Sequence, residues 1–98
     1  MSKVERALND CIIACETCTS ECLKMGANDC VSNCIVTERV CKALKVSMKN
    51  SCNKALTNPL VRASKEACKN CVKSCSEHTT MKCCQDCVKK ASKLMEML

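Results

Sequence analysis

Fourteen of the 98 residues are cysteine, and their spacing is what gives them chemistry in common. Cys11, Cys15, Cys18 and Cys22 step by four, three and four, which keeps successive side chains on one stripe of an α-helix. Cys30, Cys34, Cys41 and Cys52 share a seam on a second helical segment, and Cys68, Cys71 and Cys75 share one on a third. Cys84 and Cys87 form the seam of a fourth, with Cys83 one step aside. Sulfurs three or four residues apart on a helix can share one soft ion, and thiolate is the ligand that selects Cu(I), Zn(II) or iron–sulfur clusters. One Cu(I) per thiolate is neutral, whereas a zinc ion with four thiolates is doubly negative. Several zinc sites along one axis would therefore bury a large uncompensated charge. Cu(I) also accepts two or three thiolates, which matches pairs from one helix joined by a neighbour. Iron–sulfur runs of the ferredoxin type wrap a cluster with turn-rich loops, and a glycine-free helical ladder cannot wrap in that way. Multiple Cu(I) ions are the expected cargo. A zinc–thiolate buffer is one alternative, and a disulfide-stapled helical module with a structural or chaperone role is another.

The elements that must hold these ladders are helices. The chain has one Gly and one Pro, and Ala, Leu, Lys, Glu and Met dominate between them. Four helices are expected, at about 2 to 25, 28 to 54, 59 to 77 and 80 to 97. Gly26 ends the first, and Asn28 or Asp29 caps the second. Asn58-Pro59 reads as a cap followed by proline in the first turn, and Thr79 or Thr80 caps the last helix. The stretch 47 to 53 is the weakest helix, because Asn50, Ser51 and Asn53 lower its propensity. A shift that carries Cys15 onto Cys68 also carries Cys18, Cys22, Cys30 and Cys34 onto Cys71, Cys75, Cys83 and Cys87, which is an internal repeat. Each half reads as an antiparallel helical hairpin, and two hairpins make an all-α four-helix bundle, a single domain over 1–98.

Alternating helix direction sorts the remaining seam residues. Val4, Leu8, Leu44, Met48, Leu60, Val61, Ala91, Leu94 and Leu98 gather at one closed apolar end, with Met48 as core filler. The thiols fill the other half, and its turns carry Met25, His78 and Met81, soft or borderline ligands at a mouth where ions enter; His78 as a solvated turn residue is the plainer reading. The thin core needs such supplementation, since a short chain without Phe, Tyr or Trp lacks the side chains that bury most area.

Other function classes fit poorly. The net charge of +6 is spread over several segments, and no aromatic can stack on a base, so the lysines read as a solvated outer face and not as a nucleic-acid surface. No apolar run approaches the roughly 20 residues of a membrane span. The charged opening Met1-Ser2-Lys3-Val4-Glu5-Arg6 has no apolar leader core, so the expected compartment is the cytosol, where thiols stay reduced. The single His has no evident carboxylate partner and no strand accompanies the Cys15-x2-Cys18 pair, so no enzymatic activity is expected.

The chain resembles the copper storage protein family, cysteine-rich four-helix bundles that hold many Cu(I) ions inside. The likeness rests on Cys11-x3-Cys15-x2-Cys18-x3-Cys22 and on Ala67-Cys68-x2-Cys71-x3-Cys75-x2-His78 running on to Cys83-Cys84-Gln85-x-Cys87, and it covers essentially the whole chain. The resemblance implies that the fourteen cysteines are copper ligands and that Met25, His78 and Met81 handle admission and release. It also implies a homotetramer, for which Val36, Val40 and Ala43 form an outward stripe. This chain departs from the pattern in holding Ala91 and no cysteine after Cys87, so the far end of the last helix should hold less metal.

Overall fold

The computed structural model describes residues 2–50 and 54–98 and contains four helices: α1 (Lys3–Met25), α2 (Asn28–Lys49), α3 (Lys54–Cys75) and α4 (Lys82–Met97). Each helix packs on its neighbours in sequence and α4 closes against α1, so α1 faces α3 and α2 faces α4 diagonally across a common axis. This is the expected bundle, drawn out to 41 × 21 × 18 Å. No helix among the described residues is long and apolar enough to cross a membrane.

The helix ends show where local rules hold and where packing overrides them. At the start of α1 the Ser2 hydroxyl accepts the Glu5 amide at 3.1 Å, and at its end Gly26 takes the left-handed conformation, φ 73°. That geometry lets the Gly26 and Ala27 amides satisfy the carbonyls of Leu23 and Cys22, and glycine adopts it without a Cβ clash. The other caps differ from expectation. Ala27 and Met81 precede α2 and α4 and supply no side-chain cap bond, in place of Asn28 or Asp29 and of Thr79 or Thr80. The α4 start is held instead by the Gln85 side chain, which donates to the Thr79 carbonyl. Helix α2 ends at Lys49 and not near 54, while α3 begins at Lys54 and takes Asn58 and Pro59 inside it. Pro59 falls early enough in α3 that its missing amide removes one helical hydrogen bond, a loss the packing of the rest of the helix outweighs.

The closed end is built as expected in its centre. Leu8, Leu44, Ala91 and Leu94 are fully buried, with Val4, Leu60, Val61 and Leu98 packed around them. Met48 is not core: it is 41% exposed, and Ser47 is buried in its stead. The Ser47 hydroxyl donates to the Leu44 carbonyl and accepts from Thr57, so a polar residue is tolerated there because it is satisfied. On the outer face Glu38 is nearly buried under Lys42, at 2.6 Å, and Arg39, at 3.0 Å; the Lys42 ammonium, with Arg39, holds its carboxyl below the usual range.

Candidate metal centre

A column of sulfur runs along the bundle axis because each seam turns inward. Twelve of the described cysteines are buried and Cys83 is half-buried; all of these are free thiols. Cys52 lies outside the described residues. Four groups of sulfurs stand in tiers, and within each group all sulfurs lie within 4.8 Å of one another. Nearest the turns are Cys18, Cys22, Cys83 and Cys84; next come Cys18, Cys30, Cys34 and Cys75; then Cys15, Cys34, Cys71 and Cys87; last, toward the closed end, Cys11, Cys41 and Cys68. Every described cysteine belongs to a tier, and Cys18 and Cys34 each belong to two.

Sulfurs meet across the diagonals where the backbones do not. Cys18 of α1 and Cys75 of α3 are 4.0 Å apart, and Cys30 and Cys34 of α2 reach Cys84 and Cys87 of α4 at 3.6 and 3.9 Å. The tightest approach is Cys30 to Cys75, 3.1 Å. A disulfide needs about 2.05 Å, so these are contacts between thiols and not bonds. The last tier has three sulfurs because Ala91, one turn beyond Cys87, takes the α4 position and is fully buried.

Packing so many thiols together couples their ionisation. Closeness to the thiols of Cys15, Cys41 and Cys68 holds the pKa of Cys11 far below the usual thiol range, and closeness to Cys15, Cys34, Cys75 and Cys87 does the same to Cys71. Cys75 is drawn down to about 3, chiefly by Cys18 and Cys34. Other thiols of the column resist ionisation in turn. Cys68 is raised by its bonds to Cys11 and Cys41, and Cys41 is pushed up to about 12, chiefly by Cys11. No Lys, Arg or His among the described residues is buried; the buried polar set is Thr37, Glu38, Ser47, Ser64 and Ser74.

Two hydroxyls near the closed end had no place in the cysteine pattern. Thr37 fills the α2 seam between Cys34 and Cys41, and its hydroxyl lies 2.7 Å from the Asn33 carbonyl and 3.1 Å from that of Ala67, tying α2 to α3. Ser64 is fully buried on α3, one turn before Cys68, with no hydrogen-bond partner for its hydroxyl among the described residues. A polar residue at a seam position flanked by cysteines was the available signal for both.

The turn residues stand beside the sulfur column and outside it. Met25 is 70% exposed, Met81 packs partly on the core, and His78 belongs to none of the four tiers. The His78 Nε2 is hidden from solvent and lies 3.6 Å from an Asp29 carboxylate oxygen at the start of α2.

No curated protein and no solved structure matches the chain. A family model described as copper storage protein matches residues 1–97, nearly the full length, with all fourteen cysteines inside the match. With its helical bundle and its stacked groups of metal-ready cysteines, the chain belongs to the copper storage protein family.

Proposed function

We propose that residues 1–98 act as one domain that sequesters multiple Cu(I) ions through the thiolates of its sulfur column, storing copper or keeping it from doing harm. The observation that carries this reading is a continuous run of buried thiols with no buried cation beside it among the described residues. Thiolates formed there need compensation from the ion itself, and a monovalent ion with one thiolate each leaves the column neutral. Sulfur spacing alone does not choose the metal, because tetrahedral Zn(II) at about 2.3 Å from sulfur also fits separations near 3.8 Å. Charge does choose. Four-thiolate zinc sites on successive tiers would share Cys18 and Cys34 and leave the axis strongly negative.

In this reading the ligands are the thirteen tiered cysteines together with Cys52, and the function is storage, as in the family, with no catalytic group assigned. Met25, His78 and Met81 would serve the turn end as transient ligands. The cytosol is the proposed compartment, because the column works only with its thiols reduced. The proposed tetramer would form through Val36, 53% exposed, with Val40 and Ala43 beside it. Thiol counting separates this reading from the disulfide alternative. The apo protein should present all its cysteines to a thiol reagent on unfolding, and Cu(I) loading should shield most of them. Few reactive thiols before reduction, with no metal uptake after it, would sink the proposal.

Ala91 gives a second handle. Ala91→Cys places a fourth thiol in the tier of Cys11, Cys41 and Cys68, at a packing cost of about 1 kcal/mol for the added atom. Cu(I) capacity should rise by about one ion, read by native mass spectrometry. Unchanged capacity would mean that the last tier does not take metal.

A further inference from the structure

We infer that the chain also loads itself from Cu(II), reducing two cupric ions at the expense of one thiol pair, Cys30 and Cys75. The inference builds on the copper reading above and adds a redox step to it.

The pair is distinguished by geometry. Its sulfurs are 3.1 Å apart, while the other thiol contacts in the column run from 3.6 to 4.0 Å. Bond formation therefore needs an approach of about 1 Å to reach the disulfide length of about 2.05 Å. Position makes that approach easy. Cys30 sits in the first turn of α2 and Cys75 is the last residue of α3, so the shift is absorbed at two helix ends. Pairs deeper in the column would have to move whole helices in a close-packed interior.

Cys75 is buried but lines a cleft of about 250 Å³ with Ser76, Thr79, Gln85 and Val88, so an ion in that cleft needs to pass no other helix to meet it. Cys18 and Cys84 each lie 3.6 Å from Cys30, so reduced copper is produced beside thiols able to take it.

The step balances without any other reactant. Two Cu(II) ions each accept one electron and become Cu(I). The two thiols give up two electrons and two protons, and one S–S bond forms between them. The protons go to solvent and the two Cu(I) ions pass to the remaining thiolates. The reaction is stoichiometric, since each disulfide must be reduced before the pair acts again.

The test uses the full-length reduced apo protein under anaerobic conditions with aqueous Cu(II) chloride as the probe, two ions per chain. The expected result is loss of the Cu(II) EPR signal, two Cu(I) detected by a chromogenic chelator after denaturation, two fewer thiols, and a crosslinked peptide joining Cys30 to Cys75. Cys30→Ser and Cys75→Ser, each checked for helicity, should slow the loss of signal at least about tenfold, because the remaining thiols lack the close approach. Reduction at the wild-type rate in both variants, or crosslinks scattered over many pairs, would overturn the inference. Direct addition of Cu(I) separates the two claims. A chain that holds Cu(I) but leaves Cu(II) paramagnetic overturns the redox step alone; one that reduces Cu(II) yet releases the Cu(I) overturns storage alone.

Discussion

Leu8→Ala and Leu44→Ala are each expected to destabilise the metal-free protein by about 3 to 4 kcal/mol, and copper loading is expected to restore most of what is lost. With Leu94 these are the largest fully buried side chains in a molecule that has no aromatic residue. Above them the axis is mostly thiol, with Thr37 and Ser64 among the sulfurs, and a thiol packs as a small hydrophobe and fills little volume. A domain of this size has about 5 to 15 kcal/mol of stability in all, so truncating one of the three should leave a substantial unfolded fraction in mild denaturant. Metal would act on the neighbouring turn: Cys11 lies just under one turn from Leu8, and Cys41 just under one from Leu44. Ions shared among Cys11, Cys41 and Cys68 would tie α1, α2 and α3 together where the leucine no longer does. Each site filled at a thousand times its dissociation constant adds about 4 kcal/mol. Urea unfolding of apo and loaded forms reads both effects. A metal-free Leu8→Ala protein as stable as the parent would show that the apolar end is not what holds the empty bundle.

Replacing Cys18 or Cys34 by serine should cost more bound copper than replacing any cysteine that belongs to one tier. Cys18 bridges the first and second tiers and Cys34 the second and third, so each change strips a thiolate from two ligand sets. Serine keeps the size, and its hydroxyl does not ionise in the accessible pH range or bind Cu(I) as thiolate does. Capacity should fall by about two ions in Cys34→Ser and by about one in Cys41→Ser, at the three-sulfur end. The apo forms should differ little in helicity. Native mass spectrometry of each variant titrated with Cu(I) gives the counts. Equal losses in the two variants would mean that the tiers fill independently, with no sharing of sulfur between them.

Much of this arrangement was legible from residue spacing. Four-three-four steps on one helix leave a single stripe, and the stripe of a two-hairpin bundle must face the axis, so the burial of Cys11, Cys15, Cys18 and Cys22 followed directly. The closed end followed from alternating helix direction, and Leu8, Leu44 and Leu94 lie there fully buried. The membership of each tier was not legible. It depends on the relative heights of four helices, and a rise of 1.5 Å per residue makes a small shift at a turn enough to change which sulfurs face each other. The heights were set where expectation failed: α3 starts at Lys54 with Pro59 inside, and α2 ends at Lys49. Met48 and Ser47 exchanged roles for a related reason. Adjacent residues on a helix point about 100° apart, so the end of a seam is ambiguous by one position. Hydrophobicity favoured Met48; hydrogen bonds to Leu44 and Thr57 made Ser47 the cheaper residue to bury.

Stoichiometry tests the central claim most directly. Reduced apo protein is titrated with Cu(I) under anaerobic conditions against a competing chromogenic chelator until the chelator alone takes up metal. The account predicts that the protein outcompetes the chelator well past one ion per four cysteines and saturates nearer one ion per thiol, as a neutral column requires. Saturation at three or four ions per chain, one for each tier, would contradict it and return the column to isolated sites of the zinc kind.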